Sequence, residues 1–212
     1  MFQPKSFIET DIGNITALVR ENPLGTLILS NKEGFEVNHI PFVLDLLGAE
    51  GFKLRAHIPK VNPLIDLFNK DTLSCVVIFQ GANGYITPSW YSTKQKHGKV
   101  VPTWNYAVVH IHGQISLVQE TSWLTQQLKD LTAQNEADRE KQWQVSDAPK
   151  EYTNKQLSFL LGIEITSTKI EAKTKASQNQ PAENRESVLA SLNSEQPGSN
   201  LNEMMREVNK SS

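Results

Sequence analysis

The stretch Thr103–Val118, "TWNYAVVHIHGQISLV", decides the fold class. Its second half alternates, sending Val109, Ile111, Ile115 and Leu117 to one face and His110, His112, Gln114 and Ser116 to the other. A long, half-buried strand is the expectation. Upstream, "TLILS" from Thr26, "EVNHIPFVLDL" from Glu36, "FKLRAHI" from Phe52 and "TLSCVVIF" from Thr72 are short β-rich runs separated by turn signals, as in antiparallel sheets. Downstream, "GIEITSTKIEAKTK" alternates again and predicts a late strand that returns to the sheet. Helical spacing is found in three places: Ile12, Ile15, Leu18 and Val19, closed by Pro23; Trp123, Leu124, Leu128 and Leu131; and Tyr152, Leu157, Leu160 and Leu161. The polar run "NEADREKQWQVSDAP" reads as a surface loop. This order suits a mainly β, α+β barrel with helices packed at its ends better than alternating βαβ units.

Residues 1–180 are expected to form that barrel domain, with helices inserted, and 181–212 a C-terminal helical extension. In the extension Pro181 opens a helix through Leu192, "NSEQPGSN" is a linker and "LNEMMREVNK" is a short amphipathic helix. With 212 residues the chain can bury a sizeable core, and its formal net charge of -2 gives no global attraction to nucleic acid or an anionic membrane. The single Cys75 lies in an apolar run, which excludes an intramolecular disulfide framework and a cysteine-based zinc site. Neither a signal sequence nor a bilayer-length apolar run is present, so a cytoplasmic protein without a membrane partner is expected.

Chemistry concentrates between Tyr85 and Tyr106, which hold two of the four tryptophans and three of the four tyrosines. Pro88-Ser89-Trp90-Tyr91 is followed, after the basic run "STKQKHGK", by Pro102-Thr103-Trp104-Asn105-Tyr106. Proline and the residue before it interrupt strands, so each cluster is expected where a strand meets a loop. Aromatic faces, hydroxyl and amide groups, and Lys94, Lys96 and Lys99 suit a planar, anionic ligand. They equally suit a barrel edge or a dimer seam. His110 and His112 supply two metal ligands, and no neighbouring Cys, Asp or Glu in the sequence completes a set, so no metal site is expected. No GxSxG turn, GxGxxG motif or Walker loop occurs, and no catalytic residue is assigned.

"GYITPSWY", "HGKVVPTWNYAVVHIHG", "VSDAP", "LLGIEI" and "SQN", with "HIPF", "HIPKVNP" and "FQG" upstream, occur in an order that resembles the PaiB family of FMN-binding negative transcriptional regulators. The resemblance implies a flavin-binding split β-barrel, a homodimer, and FMN held between subunits. Arg55-Ala56-His57, Lys60 and Asn62, where a strand gives way to a helix opened by Pro63, are then expected at the FMN phosphate, with Ser89 and Lys99 as further candidates. Asn38, His39, Ile40 and Pro41 would pass backbone groups along the ring edge. Trp90, Tyr91, Thr103, Trp104, Asn105 and Tyr106 would supply surfaces and donors. Ala172 and Gln180 stand where family members tend to carry a glycine and a basic residue, and that segment is left out of the expected phosphate site.

The first functional reading is a repressor of transcription. DNA is a possible partner by resemblance, but neither charge nor a helix-turn-helix supports it. The alternatives are a flavin-dependent oxidoreductase, a flavin reservoir and, on the same fold, a haem-handling protein.

Overall fold

The structure is a computed structural model that describes residues 1–32, 34–48, 51–68 and 73–210. Its elements in chain order are β1 (Ile8–Glu9), α1 (Ile12–Glu21), β2 (Leu24–Asn31), β3 (Gly34–Pro41), β4 (Val43–Leu46), β5 (Phe52–Pro59), β6 (Leu73–Ile86), α2 (Lys94–His97), β7 (Thr103–Val118), α3 (Thr121–Glu136), α4 (Lys150–Leu157), β8 (Leu160–Lys175), α5 (Ala182–Glu195) and α6 (Asn200–Lys210). The strands form one eight-stranded sheet in the order β3-β2-β6-β7-β8-β5-β4, with β1 added to β8. Every described register is antiparallel, among them Leu24–Asn31 on Gly34–Pro41 and Lys53–Pro59 on Leu160–Thr166. This is a split-barrel architecture whose sheet is not closed, with β3 and β4 as its ends.

Alternation in β7 holds through Ser116: Val109, Ile111 and Ile115 are buried, while His110, His112, Gln114 and Ser116 are half-buried, as is Leu117, expected on the buried face. Other expectations shift. "EVNHIPFVLDL" is two strands, β3 and β4, interrupted at Phe42. The run read from Thr72 begins, among described residues, at Leu73 and continues through "GANGY" to Ile86, because its glycines allow close approach: a Cβ at Gly81 would lie 3.2 Å from Leu18, and one at Gly84 would collide with Leu201. Leu160 and Leu161 belong to β8, where they pair with Pro59 and Ile58 rather than extend α4. Ile12 is exposed, so the buried face of α1 starts at Ile15. At the C-terminus α5 runs to Glu195, which shortens the linker to a turn with Gly198 at φ +69°.

The chain divides into two compact units. One comprises 19–79 and 110–170, and its core includes Leu27, Phe42, Phe52, Leu54, Phe79, Ile111, Ile163 and Ile165. In it α3 is fixed by polar contacts to strand residues and by the ring of Trp123, which lies against Gly162. The other comprises 1–18, 80–109 and 171–212. Its core gathers Ile86, Tyr91, Ala176, Val188, Leu192, Leu201 and Met205, so α5 and α6 are structural parts of that unit. No described helix is long and apolar enough to cross a membrane.

A Cβ at Gly162 would sit 2.8 Å from one Trp123 ring carbon and 3.1 Å from Val118, too close for an unmoved ring. Gly162→Ala is expected to lower stability by about 1–3 kcal/mol through overpacking. Urea unfolding reads this, and an unchanged midpoint would show that Trp123 repacks freely.

Candidate cofactor site

The first group of expected residues lies at the end of β5, in the unit holding 19–79 and 110–170. Alternation along β5 buries Leu54, Ala56 and Ile58 and leaves Arg55 and His57 on the opposite face. Arg55 is committed there. Its Nη1 donates to Asp130 at 2.8 Å and its Nη2 to Asp45 at 3.0 Å, with Nε also on Asp45. The Asp45 hydrogen bond is the main reason that the guanidinium is held above its ordinary pKa. A phosphate at Arg55 would have to compete with two carboxylates, so this residue reads as a clamp between β4, β5 and α3.

Beyond Arg55 the corner is more open. His57 Nδ1 donates at 2.8 Å to Oε1 of Gln127, a fully buried residue whose Nε2 has no partner among described residues. Lys60 is exposed, its ammonium donating to the Ser158 carbonyl at 2.7 Å. Asn62 caps the Pro63–Leu67 turn, its Oδ1 accepting from Leu64 N–H at 2.9 Å, while its Nδ2 donates to Asn38 Oδ1 at 2.8 Å. The expected helix is this single 3-10 turn. Asn38 donates in turn to Glu36, His39 and Pro41 are exposed, and Ile40 is buried. The structure thus joins Asn38 and Asn62 directly. Gln127 escaped the sequence reading because a polar residue on a helix normally faces water; its only signal was a position among Leu124, Leu128 and Leu131.

The aromatic group lies in the other unit. Thr87 caps the Pro88–Trp90 turn by accepting from Ser89 N–H. Trp90 packs against the apolar cluster and donates through Nε1 to Glu195 at 2.8 Å. The basic loop is likewise engaged: Lys96 pairs with Glu183, Lys94 donates to Ser89, and Ser92 and Thr93 bond Asn184. Lys99 is exposed, its backbone N–H donating to His97.

Asn105, expected as a ligand donor, is fully buried instead. It donates to Ser177 Oγ at 2.9 Å and to Met205 Sδ at 3.4 Å, and Ser177 returns a bond to its Oδ1 at 3.3 Å. Tyr91 is also buried and bonded to Ser177; burial raises its pKa, and the serine bond opposes that rise. The "SQN" segment therefore completes a core, with Gln178 bridging Ala176 N–H and the Thr174 carbonyl. Thr103, Tyr106 and Trp104 keep access, and Trp104 is 56 % exposed, edge-to-face with Tyr85 at 6.2 Å.

Antiparallel strand order and the inserted helices define a split-barrel protein. Residues 1–169 match the family described as "Putative FMN-binding domain", and the chain belongs to that family. It is 34% identical over 216 residues to an uncharacterized protein of Emericella nidulans, covering 86% of each chain. It is 28% identical to the protease synthase and sporulation protein PAI 2 of Bacillus subtilis, over 92% of this chain and 91% of that one. Among solved structures, the FAD and heme binding protein of Mycobacterium smegmatis superposes with a TM-score of 0.60 at 16% identity, covering 86% of this chain and 78% of that one. FMN is the cofactor of the family. The residues present suit it, since an exposed ammonium, an amide pair and a histidine meet the donor demand of a phosphate monoester.

Asn105→Ala leaves Ser177 short of a buried partner, and such orphaning costs about 1–3 kcal/mol. The expected result is a lower thermal midpoint with unchanged FMN affinity. Lost FMN affinity at full stability would make Asn105 a ligand.

Proposed function

We propose that the protein is an FMN-binding homodimer that acts as a regulator, with the cofactor at the subunit seam and the phosphate at the corner of Lys60, Asn62, Asn38 and His57. The observation that carries the binding part is this corner, where Lys60 is exposed and Asn62 is already oriented by its cap and by Asn38. Support for the regulatory part comes from similarity to the Bacillus subtilis sporulation protein along nearly the whole chain. When bound, FMN supplies a reversible redox centre. The chain's part is to hold the dianion with Lys60 and to orient the ring by backbone groups of Asn38–Pro41. In the aromatic unit Trp104, Tyr106, Thr103, Ser89 and Lys99 are proposed as flavin contacts supplied across the dimer seam, while Trp90, Tyr91 and Asn105 only support them from within.

Exposed Tyr85, Val101 and Trp104 form the proposed dimer seam, because solvent-facing aromatics on neighbouring stretches are typical of interfaces. Regulation then follows if flavin occupancy or redox state alters that seam, since a ligand that binds only the assembled site stabilises the assembly.

Lys60→Ala is expected to weaken FMN about tenfold or more while leaving riboflavin unchanged, because only FMN carries the phosphate. Arg55→Ala is expected to reduce stability and leave the FMN-to-riboflavin ratio as in the parent. Equal weakening of both flavins by Lys60→Ala would remove the phosphate from this corner. In light scattering, a dimer at micromolar concentration with FMN supports the seam, and a monomer under all conditions excludes it. Chromatin capture of the tagged protein in its host, with and without flavin depletion, tests regulation; no flavin-dependent change in bound sites or transcripts would refute it.

A further inference from the structure

Lys173 and Lys175 stand two residues apart on β8 and so share one face of the strand. Lys173 is only 7 % exposed. Its ammonium donates to the Phe2 carbonyl at 3.3 Å and lies 5.1 Å from the Tyr106 ring centroid and 5.9 Å from that of Phe2. Lys175 donates to Thr103 Oγ1 and, at 2.7 Å, to the Trp104 carbonyl, and lies 6.0 Å from the Phe7 centroid. All of these partners are neutral.

Carboxylates do not balance this pair. Glu171, on the same face, receives the Met1 ammonium on both oxygens at 3.0 Å, and among described residues neither Lys173 nor Lys175 has a carboxylate at ion-pair distance. Two neighbouring cations, one almost fully buried, are costly without a counter-charge. The strain shows in Lys175, whose pKa is lowered, first by burial and further by the charge of Lys173, against an opposing contribution from Tyr106. Each ammonium has three N–H donors. Carbonyl and hydroxyl contacts use one on Lys173 and two on Lys175, so donors remain on both. Beside them the exposed Trp104 and Tyr85 rings offer a flat apolar surface.

We infer that Lys173 and Lys175, flanked by Thr103 and Tyr106, form an oxyanion site that takes the phosphate or carboxylate of a ligand whose planar part rests on Tyr85 and Trp104. An oxyanion would supply the missing negative charge and accept the remaining donors, which is how charge-assisted bonds become strong. The site shares Thr103, Trp104 and Tyr106 with the proposed flavin contacts but none of the residues of the Lys60 corner. Its group can come from a flavin phosphate or from a separate organic acid.

Inorganic phosphate is the first probe. In the full chain, selectively labelled at lysine ε-carbons and held at constant ionic strength with chloride, phosphate is expected to give saturable shifts at Lys173 and Lys175. Lys175→Met and Lys173→Met, which keep most of the apolar stem, are each expected to weaken phosphate about tenfold or more. Displacement of phosphate by FMN but not by riboflavin assigns the group to the flavin, and phosphate retained beside bound FMN assigns it to a separate acid; both outcomes support the site. Shifts that match chloride alone, or affinity unchanged in both variants, overturn it. If a variant fails to fold, the titration of the parent protein decides by itself. Phosphate binding here without any FMN binding would uphold this inference and defeat the proposed function.

Discussion

Asn105 and Ser177 form the buried polar contact on which one whole unit is built. The two side chains exchange hydrogen bonds, Tyr91 joins them, and Met205 closes the group from α6. Ser177 holds this place at φ +63°, a left-handed conformation that costs a residue with a Cβ about 1–2 kcal/mol. The hydrogen bonds offset that cost. The geometry has a purpose, because the turn at Ser177 ends β8 and redirects the chain toward α5, whose Val188 and Leu192 then cover Ile86 and Tyr91. Without that knot the aromatic segments before and after the basic loop would lose the surface on which they pack.

A similar constraint acts around Arg55, with charge in place of amides. One guanidinium bridges Asp45 and Asp130, while Gln127 holds His57 one turn earlier along α3. Both contacts tie the helix to β5 and prevent it from sliding along the sheet. A half-buried arginine is worth most where its fork meets carboxylates on both sides, and a mobile anion there would have to compete with both. The cations proposed for ligands are ones whose partners, among the described residues, are neutral: Lys60 on a carbonyl, and Lys173 and Lys175 on carbonyls, a hydroxyl and rings. Partner type, rather than the number of basic residues, separates the cations engaged in the fold from those proposed for binding.

How much was legible in the sequence follows from how local each signal is. Alternation in "VVHIHGQISL" depends only on the pleat, and it placed β7 and its buried face correctly. Pro181 and the amphipathic run from Leu201 marked α5 and α6 for equally local reasons. The order of these elements, with the motifs that resemble the PaiB family, determined the split barrel, the family and FMN as its cofactor. What local pattern could not supply was the identity of each polar partner. Arg55 and Lys60 look alike in the sequence, yet Asp130 arrives from a helix 75 residues away to claim only the first. Asn105 reads as a donor for a ligand until Ser177, 72 residues on, buries it. Lys173 and Lys175 stand in a segment whose alternation marks only a strand, and the packing of Phe2, Phe7 and Tyr106 around them is what leaves two cations without a carboxylate at ion-pair distance among the described residues. Periodicity and motif order are properties of the chain, whereas hydrogen-bond and charge partners are chosen by which distant segments the fold brings within about 3 Å, and that selection belongs to the tertiary structure alone.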